Sequence, residues 1–240
     1  MLLLPGALGS YQAGLAIRER LAKSDPGNVG WQRGLSVLNE RLGDAYVAQG
    51  DLLAAMEQYR ASLNRMTPIR DADPTNMDLQ RFTSVTLEMV GDIQMDQGDL
   101  QGALGSYQAA LAIAERLSKS DPSNAGWQRG LSVAYNKVGD VQFKLGNSSA
   151  ALTSYQNGLV VIERLAKSDP GNAGWQRDLS YSYSELATVY LKSRQFLQAR
   201  DALAAGRAVI ARLIAEHPDP PPQWQQDLAR FDRQIAGLKQ

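Results

Sequence analysis

Apolar residues recur at steps of three and four along most of the chain. From Trp127 they fall at Leu131, Tyr135, Val138, Val141 or Gln142, and Leu145, which is the spacing of one helix face. After Gly146-Asn147 a second set follows at Leu152, Tyr155, Leu159, Ile162 and Ala166. Gly suits the left-handed position that closes a helix, and Asn or Asp caps the next N-terminus. Gly50-Asp51 and Gly98-Asp99 punctuate the chain in the same way. A connection this short predicts antiparallel helix pairs.

The pattern has a fixed interval. Tyr11, Tyr59, Tyr107 and Tyr155 lie 48 residues apart, and so do Asp25-Pro26, Asp73-Pro74, Asp121-Pro122 and Asp169-Pro170. Asn28, Asn76, Asn124 and Asn172 recur where the first helix of each pair needs its N-cap. A period of this size marks a repeat array, in which each unit packs on its neighbours. The expected organisation is a single array over 1–240. Residues 1–27 are an orphan second helix, running over about 3–23 with Ala7, Leu8, Tyr11, Leu15, Ile17 and Leu21 on its apolar face. Repeats follow over 28–74, 75–122, 123–170 and 171–218, and a capping helix over 219–240. The fourth repeat is degenerate: Gly-Asp becomes Arg194-Gln195, and Tyr becomes Leu203. The last helix, about 223–239, carries Gln225, Gln226, Asp227, Arg230, Asp232, Arg233 and Gln234, a polar face suited to a terminal cap. About ten helices and no strands are expected.

These residues resemble the tetratricopeptide repeat. The family pattern of a Leu-Gly pair followed by Tyr, Gly, Ala, Tyr and a small residue is met by Leu42-Gly43, Tyr46, Gly50, Ala55 and Tyr59. Val90-Gly91, Gly98, Ala103, Tyr107 and Ala110 meet it again, as do Tyr135, Val138-Gly139, Gly146, Ala151, Tyr155 and Gly158. The family period is roughly 34 residues, so this chain looks like a long-helix variant, similar to the repeats of kinesin light chain. The resemblance implies an all-α, right-handed α-solenoid of stacked antiparallel pairs. Gly43, Gly91 and Gly139 sit inside helices, where Gly costs about 1 kcal/mol relative to Ala; close approach of a neighbouring helix is the expected compensation.

Composition excludes several chemistries. Lys plus Arg equals Asp plus Glu, 25 against 25, which gives no electrostatic reason to expect nucleic acid or an anionic membrane. There is no cysteine, and His217 is the single histidine, placed in a loop before proline. A metal site would have to be built from carboxylates, and a catalytic His217 would need an oriented partner. Gly102-Ala103-Leu104-Gly105 lacks the Lys-Ser/Thr ending of a phosphate loop and reads as helix packing. No metal, no cofactor and no enzymatic activity are expected. No apolar window approaches the roughly 20 residues of a membrane span, and a cytoplasmic chain is expected. Trp31, Trp127 and Trp175 recur, with Leu79 in the second copy, and read as packing residues.

The resemblance also implies a concave groove lined by the first helices. Its positions map to Glu40, Asp44, Val47 and Ala48; to Glu88, Asp92, Met95 and Asp96; to Asn136, Asp140, Phe143 and Lys144; and to Ser184, Thr188, Leu191 and Lys192. The family's chaperone-tail binders hold a carboxylate with Asn and Lys or Arg at such positions. The row Asp44, Asp92, Asp140 would repel one and points to a basic or polar protein segment. Arg33, Arg81, Arg129 and Arg177 form a second row, read either as a basic rim or as charges that pair between repeats and solvate the face. The expected function is a non-catalytic scaffold for a peptide or protein segment. The alternatives are self-association through Leu8, Tyr11 and Leu15 of the orphan helix, or a sensor arm of a larger signalling protein.

Overall fold

The computed structural model describes residues 5–238, with side chains from residue 9. Its elements are α1 (Pro5–Ser24), α2 (Val29–Gln49), α3 (Leu52–Ala72), α4 (Met77–Asp96), α5 (Leu100–Ser120), α6 (Ala125–Lys144), α7 (Ser148–Ser168), α8 (Ala173–Lys192), α9 (Phe196–Glu216) and α10 (Pro222–Gly237). All ten are α-helices, packed as sequential antiparallel pairs. The expected start at residue 3 and end at residue 239 lie outside the described residues.

The boundaries follow from the predicted caps. The side chains of Asn28, Asn76, Asn124 and Asn172 accept from the backbone N–H of Trp31, Leu79, Trp127 and Trp175 at 3.1–3.2 Å. Asp51, Asp99 and Asn147 do the same for Ala54, Gly102 and Ala150. Gly50, Gly98 and Gly146 take φ of 79°, 77° and 83°, where a Cβ would be strained. A recurrent glutamine also ties each first helix to the segment before it. The side-chain N–H groups of Gln32, Gln80, Gln128 and Gln176 donate to the carbonyls of Pro26, Pro74, Ser118 and Ala166.

The chain divides into two compact units between Leu117 and Ser118. In the first, α1 lies on α2, α2 on α3 and α3 on α4. Its core gathers Ala55, Met56, Tyr59, Val90 and Ile93. In the second, α6, α7, α8, α9 and α10 pack in succession. Its core holds Tyr155, Leu186, Leu203, Ile210, Leu213, Trp224 and Phe231. Burying one such aliphatic or Phe side chain contributes about 1.5–3 kcal/mol. The interior glycines are covered by a facing aromatic ring: a Cβ at Gly43, Gly91 or Gly139 would stand 2.4–2.7 Å from the ring of Tyr59, Tyr107 or Tyr155. Leu79 is buried and Trp31, Trp127 and Trp175 are half-buried, with Trp175 against Ile162, Leu165 and Leu179.

One expected apolar position is corrected. Leu145 is the C-cap residue of α6 and is exposed, because the face ends where the helix does. Ile17 and Leu21 of α1 are also exposed.

Candidate functional site

In the first unit, α2 and α4 set their predicted positions around a depression of about 300 Å³. Arg33, Glu40, Arg41 and Asp44 come from α2, and Asp78 and Arg81 from α4. Between these charges lies an apolar strip of Val37, Phe82, Val85 and Met89. Helical spacing places Arg33, Val37, Glu40 and Asp44 on one face, so the strip separates an arginine rim from a carboxylate row. Arg33 and Arg81 are exposed and have no ion-pair partner among the described residues. Glu88, half-buried, and Asp92, exposed, carry the row along α4.

Each aspartate of the row has an internal partner. The hydroxyls of Tyr59, Tyr107 and Tyr155 donate to Asp44, Asp92 and Asp140 at 2.9, 2.5 and 2.7 Å. The tyrosine lies on the second helix of the same pair, 15 residues on. Burial, and then the carboxylate it faces, raise the pKa of Tyr59 above the usual phenol value, so it remains a protonated donor. Glu40 is pushed up to about 7, chiefly by burial; the Thr86 hydroxyl, which donates to it, opposes that shift. Asp44 also forms an exposed ion pair with Arg41 at 3.6 Å.

In the second unit, α6 and α8 carry the corresponding positions. Asn136 is buried and donates to Ser182 Oγ at 3.1 Å. Phe143 lies under the Lys192 ammonium, 4.6 Å from the ring centre. Ser184 is buried, and the Thr188 hydroxyl donates to its carbonyl at 3.0 Å. Here the arginine rim is paired: Arg129 meets Asp178 of α8 at 2.5 Å, and Arg177 meets Asp227 of α10 at 3.6 Å. Pairing between repeats therefore describes Arg129 and Arg177, while Arg33 and Arg81 remain open. Asp140 lines a smaller depression of about 190 Å³ with Val133, Lys137, Asp178 and Tyr181. Its carboxyl is raised by burial. Glu185 is pushed up to about 7 by burial and then by Asp140, with Arg230 opposing.

Several of these residues were not singled out from the sequence. Val85, Val133 and Tyr181 occupy the position of Val37 in the later repeats, and the 48-residue interval alone would have found them. Asp178 stands where the other repeats have Gly34, Phe82 and Gly130, and it pairs with Arg129 of the preceding copy. Of the expected self-association residues, Tyr11 and Leu15 are half-buried, and the Leu8 side chain lies outside the described residues. His217 Nδ1–H donates to the Leu213 carbonyl, 2.8 Å away, and the ring sits edge-to-face on Trp224. No group of three or more His, Cys, Asp or Glu among the described residues is placed to hold a metal. No helix there is long and apolar enough to cross a membrane.

Residues 95–142 match the family model described as "Tetratricopeptide repeat". No curated protein matches the sequence. Among solved structures, BtubC (BKLC) from P. vanneervenii is similar at 18% identity with a TM-score of 0.67, covering 96% of this chain and 83% of that one. The apo form of RapI is similar at 14% identity with a TM-score of 0.65; the match covers 93% of this chain and 53% of RapI. MamA is similar at 16% identity with a TM-score of 0.53, over 90% of this chain and 100% of that one. At these identities the likeness is one of fold. The repeat match over residues 95–142, the paired helices and the ring-on-glycine seams agree: the chain has the fold of a tetratricopeptide repeat array.

Proposed function

We propose that the chain is a non-catalytic scaffold that takes an extended protein segment along its first-helix faces, with the main site on α2 and α4. Tetratricopeptide repeats are generally protein-interaction scaffolds, and the finer reading rests on one observation. The α2/α4 depression sets exposed Val37 and Val85 between open arginines and the carboxylates of Glu40 and Asp44. An apolar anchor on the valines, with a basic neighbour beside the carboxylates, satisfies that arrangement. The α6/α8 depression in the second unit is smaller and its arginines are engaged.

A peptide array probed with the purified chain tests this reading. Peptides pairing Leu, Ile or Phe with Lys or Arg are expected to be enriched. Glu40→Gln with Asp44→Asn removes charge but leaves acceptors for the Thr86 and Tyr59 hydroxyls. That double variant should bind an enriched peptide about tenfold more weakly, a difference of about 1.4 kcal/mol, with no loss of melting temperature. Unchanged affinity would discard the site.

A further inference from the structure

The arginine row is satisfied in one unit and open in the other, and the sequence shows why. In the second unit, Arg129 donates through Nε to Asp178 Oδ2 at 2.5 Å and through Nη2 to Oδ1 at 3.3 Å, a two-pronged hold on one carboxylate. In the first unit, Arg33 stands at the position of Arg129, two repeats earlier, and Phe82 stands at the position of Asp178. Phe82 carries no charge, and Arg33 and Arg81 are exposed with no ion-pair partner among the described residues. The first unit thus has the guanidinium but not the carboxylate that the second unit places against it.

The other charges lining the α2/α4 depression do not fill that place. Asp78 lies in the first turn of α4, where the helix dipole favours an acid. Arg41, the third guanidinium there, is held by Asp44 at 3.6 Å. Spacing along α2 then fixes where a ligand's charges must fall. Arg33 lies four residues before Val37, and Asp44 seven after it. At a rise of about 1.5 Å per residue these intervals are about 6 Å and about 10 Å. Arg81, Val85 and Asp92 repeat the spacing on α4. Two antiparallel steps, α2 to α3 and α3 to α4, run the two helices in the same direction. An extended segment advances about 3.3 Å per residue, so the intervals correspond to about two and about three of its positions.

We propose that Arg33 and Arg81 take a carboxylate side chain of the bound segment, so that the depression selects partners with an acidic, an apolar and a basic residue in that order, spaced acid-x-apolar-x-x-base. This rests on the α2/α4 reading above and gives its partner a charge order. The carboxylate meets the arginine rim as Asp178 meets Arg129, the apolar side chain lies on Val37 and Val85, and the cation lies beside Glu40 and Asp44. An all-basic segment would face the arginines and an all-acidic one the carboxylates, and like charges set together count against both.

The test uses the full chain and three fluorescein-labelled peptides in one Ser/Gly background, read by anisotropy: Glu-x-Leu-x-x-Lys, Gln-x-Leu-x-x-Lys and Leu-x-Glu-x-x-Lys. The first should bind at least tenfold more tightly than the other two. Arg33→Gln with Arg81→Gln should abolish that preference with no loss of melting temperature. Arg60→Gln, at an exposed position on α3, should leave it intact. Equal binding of the three peptides, or a preference that survives Arg33→Gln with Arg81→Gln, overturns the charge order. If binding then still weakens with Glu40→Gln and Asp44→Asn, the segment-binding reading stands without it. If no peptide binds saturably, both fall.

Discussion

The third and fourth hairpins, α6–α7 and α8–α9, share a unit and a backbone plan, yet they close their seams differently. In α6–α7 the Tyr155 ring lies on Gly139 and its hydroxyl binds Asp140. In α8–α9 all three residues have changed together, to Leu203, Ala187 and Thr188. Leu203 and Ala187 are both fully buried, so the seam is as dry but wholly aliphatic. A shorter side chain leaves room for a Cβ on the facing helix, and without a hydroxyl a buried acceptor has no partner. The turns differ in the same direction. Gly146 takes φ of 83° and Asn147 caps α7, whereas Arg194 takes φ of 57° and Gln195 makes no side-chain cap. Glycine, tyrosine and aspartate therefore act as one linked set, and losing one member removes the reason for the other two.

The largest effect should come from overfilling the tyrosine seam. Gly139→Leu should cost about 3 kcal/mol in urea unfolding, because the Tyr155 ring already occupies the space. Gly139→Ala alone should cost about 1–2 kcal/mol. Adding Tyr155→Leu and Asp140→Thr, the residues of the fourth hairpin, should recover most of that loss. Additive costs in this series would break the linkage. Tyr155→Phe should cost about 1–2 kcal/mol, since Asp140 then loses the nearer of its two tyrosine donors.

Two half-buried carboxyls sharpen the comparison through pH. Glu40 and Glu185 are each pushed up to about 7, mainly by burial. A folded-state value above the unfolded one means that the native chain holds more protons between about pH 4.5 and 7. Stability should therefore fall as pH rises through that window and level off above it. The slope should represent on the order of 1 kcal/mol per group, and Glu40→Gln with Glu185→Gln should flatten it in thermal melts. The smallest change expected is a gain. Arg194→Gly should raise stability by about 1 kcal/mol, whereas Gly146→Arg should lose a similar amount.

Much of this was readable from the residues. Asn28, Asn76, Asn124 and Asn172, with Gly50, Gly98 and Gly146, act within a few residues of their own position, so spacing along the chain fixes the helices. The glycine seams were also readable, because an interior glycine needs a close neighbour. The site was less so. Asp44, Asp92 and Asp140 were found as a row, but their tyrosine partners lie across the hairpin. Only the joint loss of Asp and Tyr in the fourth copy hints at the bond. Ile17 and Leu21 were read as part of the apolar face of an orphan helix, and both are exposed; whether such a face is covered depends on the helix beside it, which α1 itself does not encode.

The most direct measurement of segment binding is site-specific photo-crosslinking of an array-selected peptide. A benzophenone amino acid replaces Val85 in the α2/α4 depression in one variant, and Val160, exposed on α7, in another. Capture of the peptide at position 85 and not at 160 is predicted. Equal capture at both, or capture at 160 alone, would contradict binding along the first-helix face.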